Sequence, residues 1–111
     1  MVQSCILNTI ENNLKDILKN INKVFDHRIR LGIMSVLMVN EYAEFTTLKE
    51  LLGVTDGNLA SHIKALETEK YVVVEKQFIG KKPNTRYAAT PLGKKAFQQH
   101  IEALEKLIQK S

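Results

Sequence analysis

The chain has 111 residues and a single cysteine, Cys5, so it cannot form a disulfide within itself, which fits a reducing compartment. No apolar run approaches membrane-spanning length, and the N-terminus lacks a charged-then-apolar signal pattern. We therefore expect a cytoplasmic protein without a membrane partner. There is also no phosphate loop, nucleophile–base pair or metal-ligand spacing. The sequence thus predicts one domain that is not an enzyme and needs neither metal nor cofactor.

Positive charge is concentrated in one part of the chain. The net charge is +4, but residues 70–95 hold seven Lys or Arg against the single acid Glu75, a local charge of +6. The remainder of the chain therefore sums to −2. A basic segment in an otherwise slightly acidic domain indicates a surface that binds phosphate.

Residues 46–67 predict two short helices joined by a tight turn. Leucines recur at helical spacing in the first helix, and Thr47 with Glu50 three residues later makes a capping box at its start. Gly53 follows the last of these leucines, where a left-handed residue commonly ends a helix.

Thr55 or Asp56 is expected to cap the second helix, which spans residues 56–69. Its inward face is Leu59, Ile63 and Leu66. Its outer face carries small or polar residues: Gly57, Asn58, Ser61, His62 and Lys64. Such a helix is thin enough on its outer side to enter a major groove, although any amphipathic helical hairpin has a polar face.

An apolar seam marks a long first helix, formed by Leu7, Ile10, Leu14, Ile17, Ile21 and Val24. This seam fits a coiled coil or a helix packed on its own domain. Asp26 is expected to cap a buried central helix over residues 26–40. We expect His27, beside that cap, to pack or hydrogen-bond rather than bind metal.

A β-hairpin is predicted after the helix pair. The β-branched run that opens residues 71–79 predicts a strand, residues 80–84 a turn, and residues 85–89 the returning strand. The tip would present Lys81, Lys82 and Arg86 without a neighbouring acid. A charged hairpin tip alone is ordinary, but directly after a helix-turn-helix it indicates the wing of a winged helix.

Thr90–Pro91 starts the last helix, with threonine as cap and proline in the first turn. Its apolar stripe is Ala96, Phe97, His100, Ile101, Ala103, Leu104, Leu107 and Ile108. The body, residues 26–90, is expected to close its own core. The flanking segments 1–25 and 91–111 would then be helices that pair with a second chain.

This order of elements resembles the MarR and ArsR class of winged-helix transcriptional regulators, and most closely the small single-domain MarR-like family. The runs that carry the likeness are residues 51–67, 75–87 and 90–93, within a resemblance covering about 25–100. It implies a mainly α fold with a β-hairpin wing (α+β), a winged helix-turn-helix with long N- and C-terminal dimerisation helices. It further implies a homodimeric repressor of transcription. This repressor would bind double-stranded DNA sequence-specifically, at an inverted-repeat operator.

The resemblance also assigns residues to roles. The recognition helix 56–69 would read the major groove, and the wing, residues 76–88, would contact phosphate or the minor groove. The implied DNA-binding residues are Thr47, Thr55, Gly57, Asn58, Ser61, His62, Lys64, Lys81, Lys82 and Arg86. The implied dimer interface is Leu7, Ile10, Leu14, Ile17, Ile21, Phe97, Ile101, Leu104 and Ile108.

Some features depart from the pattern or leave alternatives open. Metal-sensing relatives carry cysteines on the first helix of the helix-turn-helix, and residues 47–52 contain none. Asp56 would lie close to phosphate, so it is assigned mainly to helix capping. A protein-interaction module without DNA binding is the alternative function. The predicted surface lacks the stacking aromatics typical of RNA binding, and no small-molecule effector is indicated.

Overall fold

The computed structural model describes residues 14–108, and the predictions for Leu7 and Ile10 lie outside this range. Residues 14–19 are helical (α1), and a 3-10 turn follows at Lys23–Phe25. The remaining elements are α2 (Arg28–Val39), β1 (Ala43–Glu44), α3 (Phe45–Leu52), α4 (Asp56–Thr68), β2 (Val72–Ile79), β3 (Lys82–Ala89) and α5 (Pro91–Ile108).

The turn between α3 and α4 forms as the sequence predicts. Gly53 ends α3 in the left-handed conformation, with φ 62° and ψ 42°, and its N–H donates to the carbonyl of Lys49. The Thr55 hydroxyl accepts from the Asn58 N–H at 3.2 Å, so Thr55 rather than Asp56 caps α4. The two helices are therefore held by local backbone chemistry.

Two predicted helix starts are wrong. The Thr47–Glu50 capping box does not form, because α3 begins at Phe45, directly after the pairing of β1 with β3, and Thr47 lies within the helix. The cap of α2 is His27, not Asp26: its Nδ1 accepts from the Ile29 N–H at 3.2 Å. An imidazole can fill the acceptor role of a short polar cap, which composition alone does not indicate.

The three strands form an antiparallel sheet in the order β1-β3-β2. Ile79 pairs with Lys82, so the hairpin turn is only Gly80–Lys81, and Pro83 and Asn84 belong to β3 instead of the predicted turn. Gly80 has a φ of 66°, which suits glycine at the first central position of a two-residue turn. The paired strands therefore extend further towards the tip than the sequence predicted, and the turn is shorter.

One apolar core joins the helices to the sheet. The α4 residues Leu59, Ile63 and Leu66 are buried, as predicted, and share this core with Ile33 and Leu37 of α2. Burial of a large aliphatic side chain contributes roughly 1.5–3 kcal/mol, so the three α4 residues contribute substantially to docking this helix.

The body does not close its core before α5, contrary to the prediction. Phe97 is buried, and its ring packs edge-on against Phe25 with ring centroids 5.3 Å apart. His100 is also buried, and its Nδ1 accepts from the Asn22 N–H at 3.0 Å. Phe97 is therefore a core residue of the single chain, and little of its side chain remains exposed for the predicted dimer interface.

The predicted N-terminal seam is not one continuous helix. Helical structure ends at Lys19, and the chain turns before the 3-10 segment that contains Val24. The Asn22 side chain holds this turn: its oxygen accepts from the Val24 N–H at 2.9 Å, and its amide donates to the Tyr71 hydroxyl at 3.0 Å. Ile21 and Val24 therefore lie beyond the helix that carries Leu14.

We predict that Gly93→Ala destabilises the fold by about 1–3 kcal/mol. A Cβ at Gly93 would overlap the backbone carbonyl of Tyr71, and backbone there cannot yield as a side chain can. The measurement is urea unfolding. Gly57→Ala is the matched control, because a Cβ there meets nothing within 4 Å and alanine favours helix. Equal stability of Gly93→Ala and wild type would contradict this packing.

Candidate nucleic-acid interface

Most of the outer face of α4 is exposed to solvent. Gly57, Asn58, Ser61 and Lys64 are all exposed. Among the described residues, none of the side chains of Asn58, Ser61 and Lys64 makes a hydrogen bond or ion pair. This face can therefore offer its amide, hydroxyl and ammonium groups to a ligand without breaking bonds within the chain.

The carboxylate at the start of α4 has a cationic partner. Lys49 Nζ of α3 lies 2.8 Å from Asp56 Oδ1, and both side chains are largely exposed. An exposed pair of this kind contributes at most about 1 kcal/mol to stability. Its electrostatic effect is more relevant here, because Lys49 offsets the negative charge that would repel a phosphate near the helix start.

His62 is less available than its outward position predicted. It is half-buried, its Nδ1 accepts from Arg30 Nε at 3.1 Å, and its ring centroid lies 4.0 Å from that of His27. Burial lowers the pKa of His62, and the neighbouring His27 and Arg30 lower it further. Since Nδ1 is occupied as an acceptor, a neutral His62 keeps its other ring nitrogen as a donor.

The wing tip carries free positive charge. Lys81 and Lys82 are exposed at and beside the two-residue turn, and within residues 14–108 neither takes part in an ion pair.

Arg86 does not belong to that tip. It pairs with Glu75 across the hairpin, and its Nε donates to the Glu75 carboxylate at 2.7 Å. Its guanidinium carbon also lies 4.1 Å from the ring centroid of Tyr42. The prediction that Arg86 has no neighbouring acid was wrong, because strand pairing brings Glu75 opposite it.

The two threonines differ in availability. Thr47 is exposed on α3, whereas the Thr55 hydroxyl accepts a hydrogen bond from the α4 backbone. The sequence reasoning missed Lys49 and Arg30, whose side chains bind Asp56 and His62 at the candidate interface. The Lys49–Asp56 pair could have been predicted, because Lys49 lies four residues before Gly53 and Asp56 three residues after it, on either side of the loop between the helices. No local sequence pattern linked Arg30 to His62.

The predicted dimer residues are only partly available. Leu14 is 42% exposed and Ile108 is 83% exposed, while Ile17, Ile21, Ile101 and Leu104 are half-buried. An apolar surface therefore remains on α1 and the C-terminal half of α5.

Within the described part of the chain, no helix is long and apolar enough to span a membrane. Residues 14–108 also contain no cluster of three or more His, Cys, Asp or Glu side chains placed to hold a metal ion.

Comparison with known proteins agrees with this architecture. Residues 29–108 match the family model described as a winged helix DNA-binding domain. An uncharacterised protein of Methanocaldococcus jannaschii is 39% identical over 79 residues, covering 71% of this chain and 86% of its own. A transcriptional regulator homologue from Pyrococcus horikoshii has 32% identity and a TM-score of 0.76, covering 87% of this chain and 94% of its own.

A more distant solved structure shares the fold. The transcriptional regulator BldR from Sulfolobus solfataricus has 17% identity and a TM-score of 0.64, covering 96% of this chain and 78% of its own. The chain thus belongs to the winged helix DNA-binding domain family. Its function is DNA binding in the regulation of transcription.

We predict that stability falls as the pH drops from about 7 through the ordinary histidine pKa of 6.5. Burial lowers the pKa of His100 in the folded chain, and the Asp26 carboxylate opposes that shift. The pKa of His62 is lowered as well. At pH values just below 6.5 the unfolded chain therefore binds more protons than the folded chain. Adding acid in this range consequently favours unfolding.

The measurement is urea unfolding at several pH values with His100→Asn as comparison. An asparagine oxygen can accept from the Asn22 N–H, as Nδ1 does, but asparagine does not titrate. When the pH is lowered from about 7.5 to below 6.5, the free energy of unfolding of the variant should fall less than that of wild type. An identical loss in both proteins would exclude His100 as a source of the pH dependence.

Proposed function

We propose that the chain is a sequence-specific repressor that binds double-stranded DNA, with α4 in the major groove and the wing on phosphate or the minor groove. The observation that carries this proposal is the outer face of α4, where the side chains of Asn58, Ser61 and Lys64 have no hydrogen-bond or ion-pair partner among the described residues. A major groove admits one helix, and a face of small polar residues lets its backbone come close to base edges.

The residues on this face suit distinct contacts. Asn58 can bond bidentately to N6 and N7 of adenine, and the Ser61 hydroxyl can bond either a donor or an acceptor. His62 adds one ring N–H, because Arg30 occupies the other nitrogen. Gly57 has open space where a side chain would stand, so its bare backbone allows close approach.

Cations and hydroxyls around this face suit the phosphates. Thr47 is exposed on α3, Lys64 is exposed on α4, and Lys81 and Lys82 extend from the wing. Thr55 keeps its hydroxyl proton for a phosphate oxygen while its oxygen caps α4. We assign Arg86 a positioning role instead: by binding Glu75 and packing on Tyr42 it fixes the wing to the segment before α3.

We propose further that two copies pair through α1 and the C-terminal half of α5. Leu14, Leu18 and Ile108 are exposed there at 42%, 52% and 83%, and exposed apolar faces favour association. A two-fold pair would place two recognition helices on successive turns of one face of the duplex, about 34 Å apart. The symmetry of the preferred DNA sequence tests this pairing.

The first experiment concerns the wing. Lys81→Ala and Lys82→Ala should each weaken binding to every duplex sequence, and each should lower the salt slope by about 0.9 unit per lost phosphate contact. Affinity is measured for random and preferred duplexes at several salt concentrations. Lys106→Ala, in the last turn of α5, is the control and should leave the slope unchanged. An interaction module without a DNA role would show no binding at any salt concentration.

The second experiment concerns base reading. Asn58→Ala should cost about 1–3 kcal/mol on the preferred sequence and relax the preference at one position of each half-site. Random duplex DNA should bind as tightly as before. Gln98→Ala removes an exposed amide from α5 and serves as control. Equal weakening on random and preferred DNA would assign Asn58 to the phosphate backbone and contradict its proposed role.

A further inference from the structure

The wing tip exposes a large aromatic side chain, contrary to the prediction that the nucleic-acid surface lacks stacking aromatics. Phe78 is 76% exposed near the end of β2, two residues before the turn, and Pro83 lies directly opposite it on β3. The next pair along the hairpin is Ile79 with Lys82, and then the chain reverses. A phenylalanine and a proline thus form an apolar pair just behind the lysines of the tip.

The chain's own core cannot account for this pair. Side chains alternate along a strand, so Phe78 shares a sheet face with Val72 and Val74, and Val72 is buried in the core. Phe78 lies four residues beyond Val74, roughly 13 Å at the rise of a β-strand. Val74 is already 39% exposed, so the core ends before the tip begins. The aromatic ring therefore projects beyond the body of the domain.

The surroundings of Phe78 are positively charged. Lys76 precedes it on the same face, Lys81 lies in the turn, and Lys82 is opposite Ile79 on the other face; all three lysines are exposed. The nearest acid in the hairpin, Glu75, is on the other face and is bound to Arg86 at 2.7 Å. An apolar side chain with lysines nearby is complementary to a surface whose apolar groups are flanked by negative charge.

We propose that Phe78, backed by Pro83, is an apolar minor-groove contact of the wing. Lys81 and Lys82 would hold the flanking phosphates while the ring packs against deoxyribose or enters a base step. Phenylalanine and proline are among the side chains that minor-groove proteins insert in this way. The contact would favour flexible pyrimidine–purine steps beside the half-site, and so add specificity without a base hydrogen bond. The inference depends on the proposed DNA binding and extends it to a particular side chain.

The test compares Phe78→Ala with wild type in the full chain. Affinity for the preferred duplex should fall about tenfold or more, while the slope of affinity against salt stays unchanged, because an uncharged side chain releases no counterions. Phe78→Leu should retain most of the affinity. Val39→Ala controls for general loss of exposed apolar surface, since Val39 is 81% exposed at the end of α2, and it should bind as wild type does.

A second measurement varies the DNA. Duplexes that differ only in the flanking step, TA against AA, should bind wild type with different affinities, and Phe78→Ala should reduce that difference. Unchanged affinity and step preference in Phe78→Ala, with wild type still binding DNA, would overturn this inference and leave the proposed function intact. Absence of DNA binding by wild type would instead refute the proposed function. Loss of binding to phosphatidylserine vesicles in Phe78→Ala, with DNA affinity unchanged, would assign the tip to a lipid surface.

Discussion

One-sided burial of α4 is the constraint on which the rest of the structure depends. Leu59 and Leu66 are completely buried and Ile63 is 2% exposed, so the rotation of this helix about its own axis is set by the core it shares with α2. A rotation of the helix would expose these side chains to water and bury polar ones, at a cost of several kcal/mol. The same constraint turns the opposite face outward as a rigid set of polar groups, which a DNA-reading helix requires.

Features that arise from neighbours in the chain could be predicted from the sequence. The left-handed Gly53, Thr55 as one of the two predicted caps of α4, and the Thr90–Pro91 helix start are confirmed, because each needs only the residues beside it. The buried stripe of α4 is confirmed as well, because its apolar residues recur at helical spacing. The hairpin was predicted as well, although its turn is shorter than expected. The winged-helix class follows from the order of these elements.

What could not be predicted arises from contacts between distant segments. Arg86 meets Glu75 only when β2 and β3 pair in the observed register, so a list of charges along the chain made it appear free. Phe97 lies on an amphipathic stripe that reads equally well as a dimer surface, and its contact with Phe25 assigns it to the core. His62 is held by Arg30 from another helix. The DNA-contact role of each exposed residue on α4 and the wing stays a prediction.

The central claim is that two recognition helices of a symmetric pair read one duplex. Selection of bound sequences from a random pool of duplex DNA tests it most directly, because the selected sequences report both base preference and symmetry. We expect enrichment of an inverted repeat whose half-sites lie one helical turn apart, about 10–10.5 base pairs from centre to centre. Recovery of sequences no different from the starting pool, or of a single site without two-fold symmetry, would contradict the account.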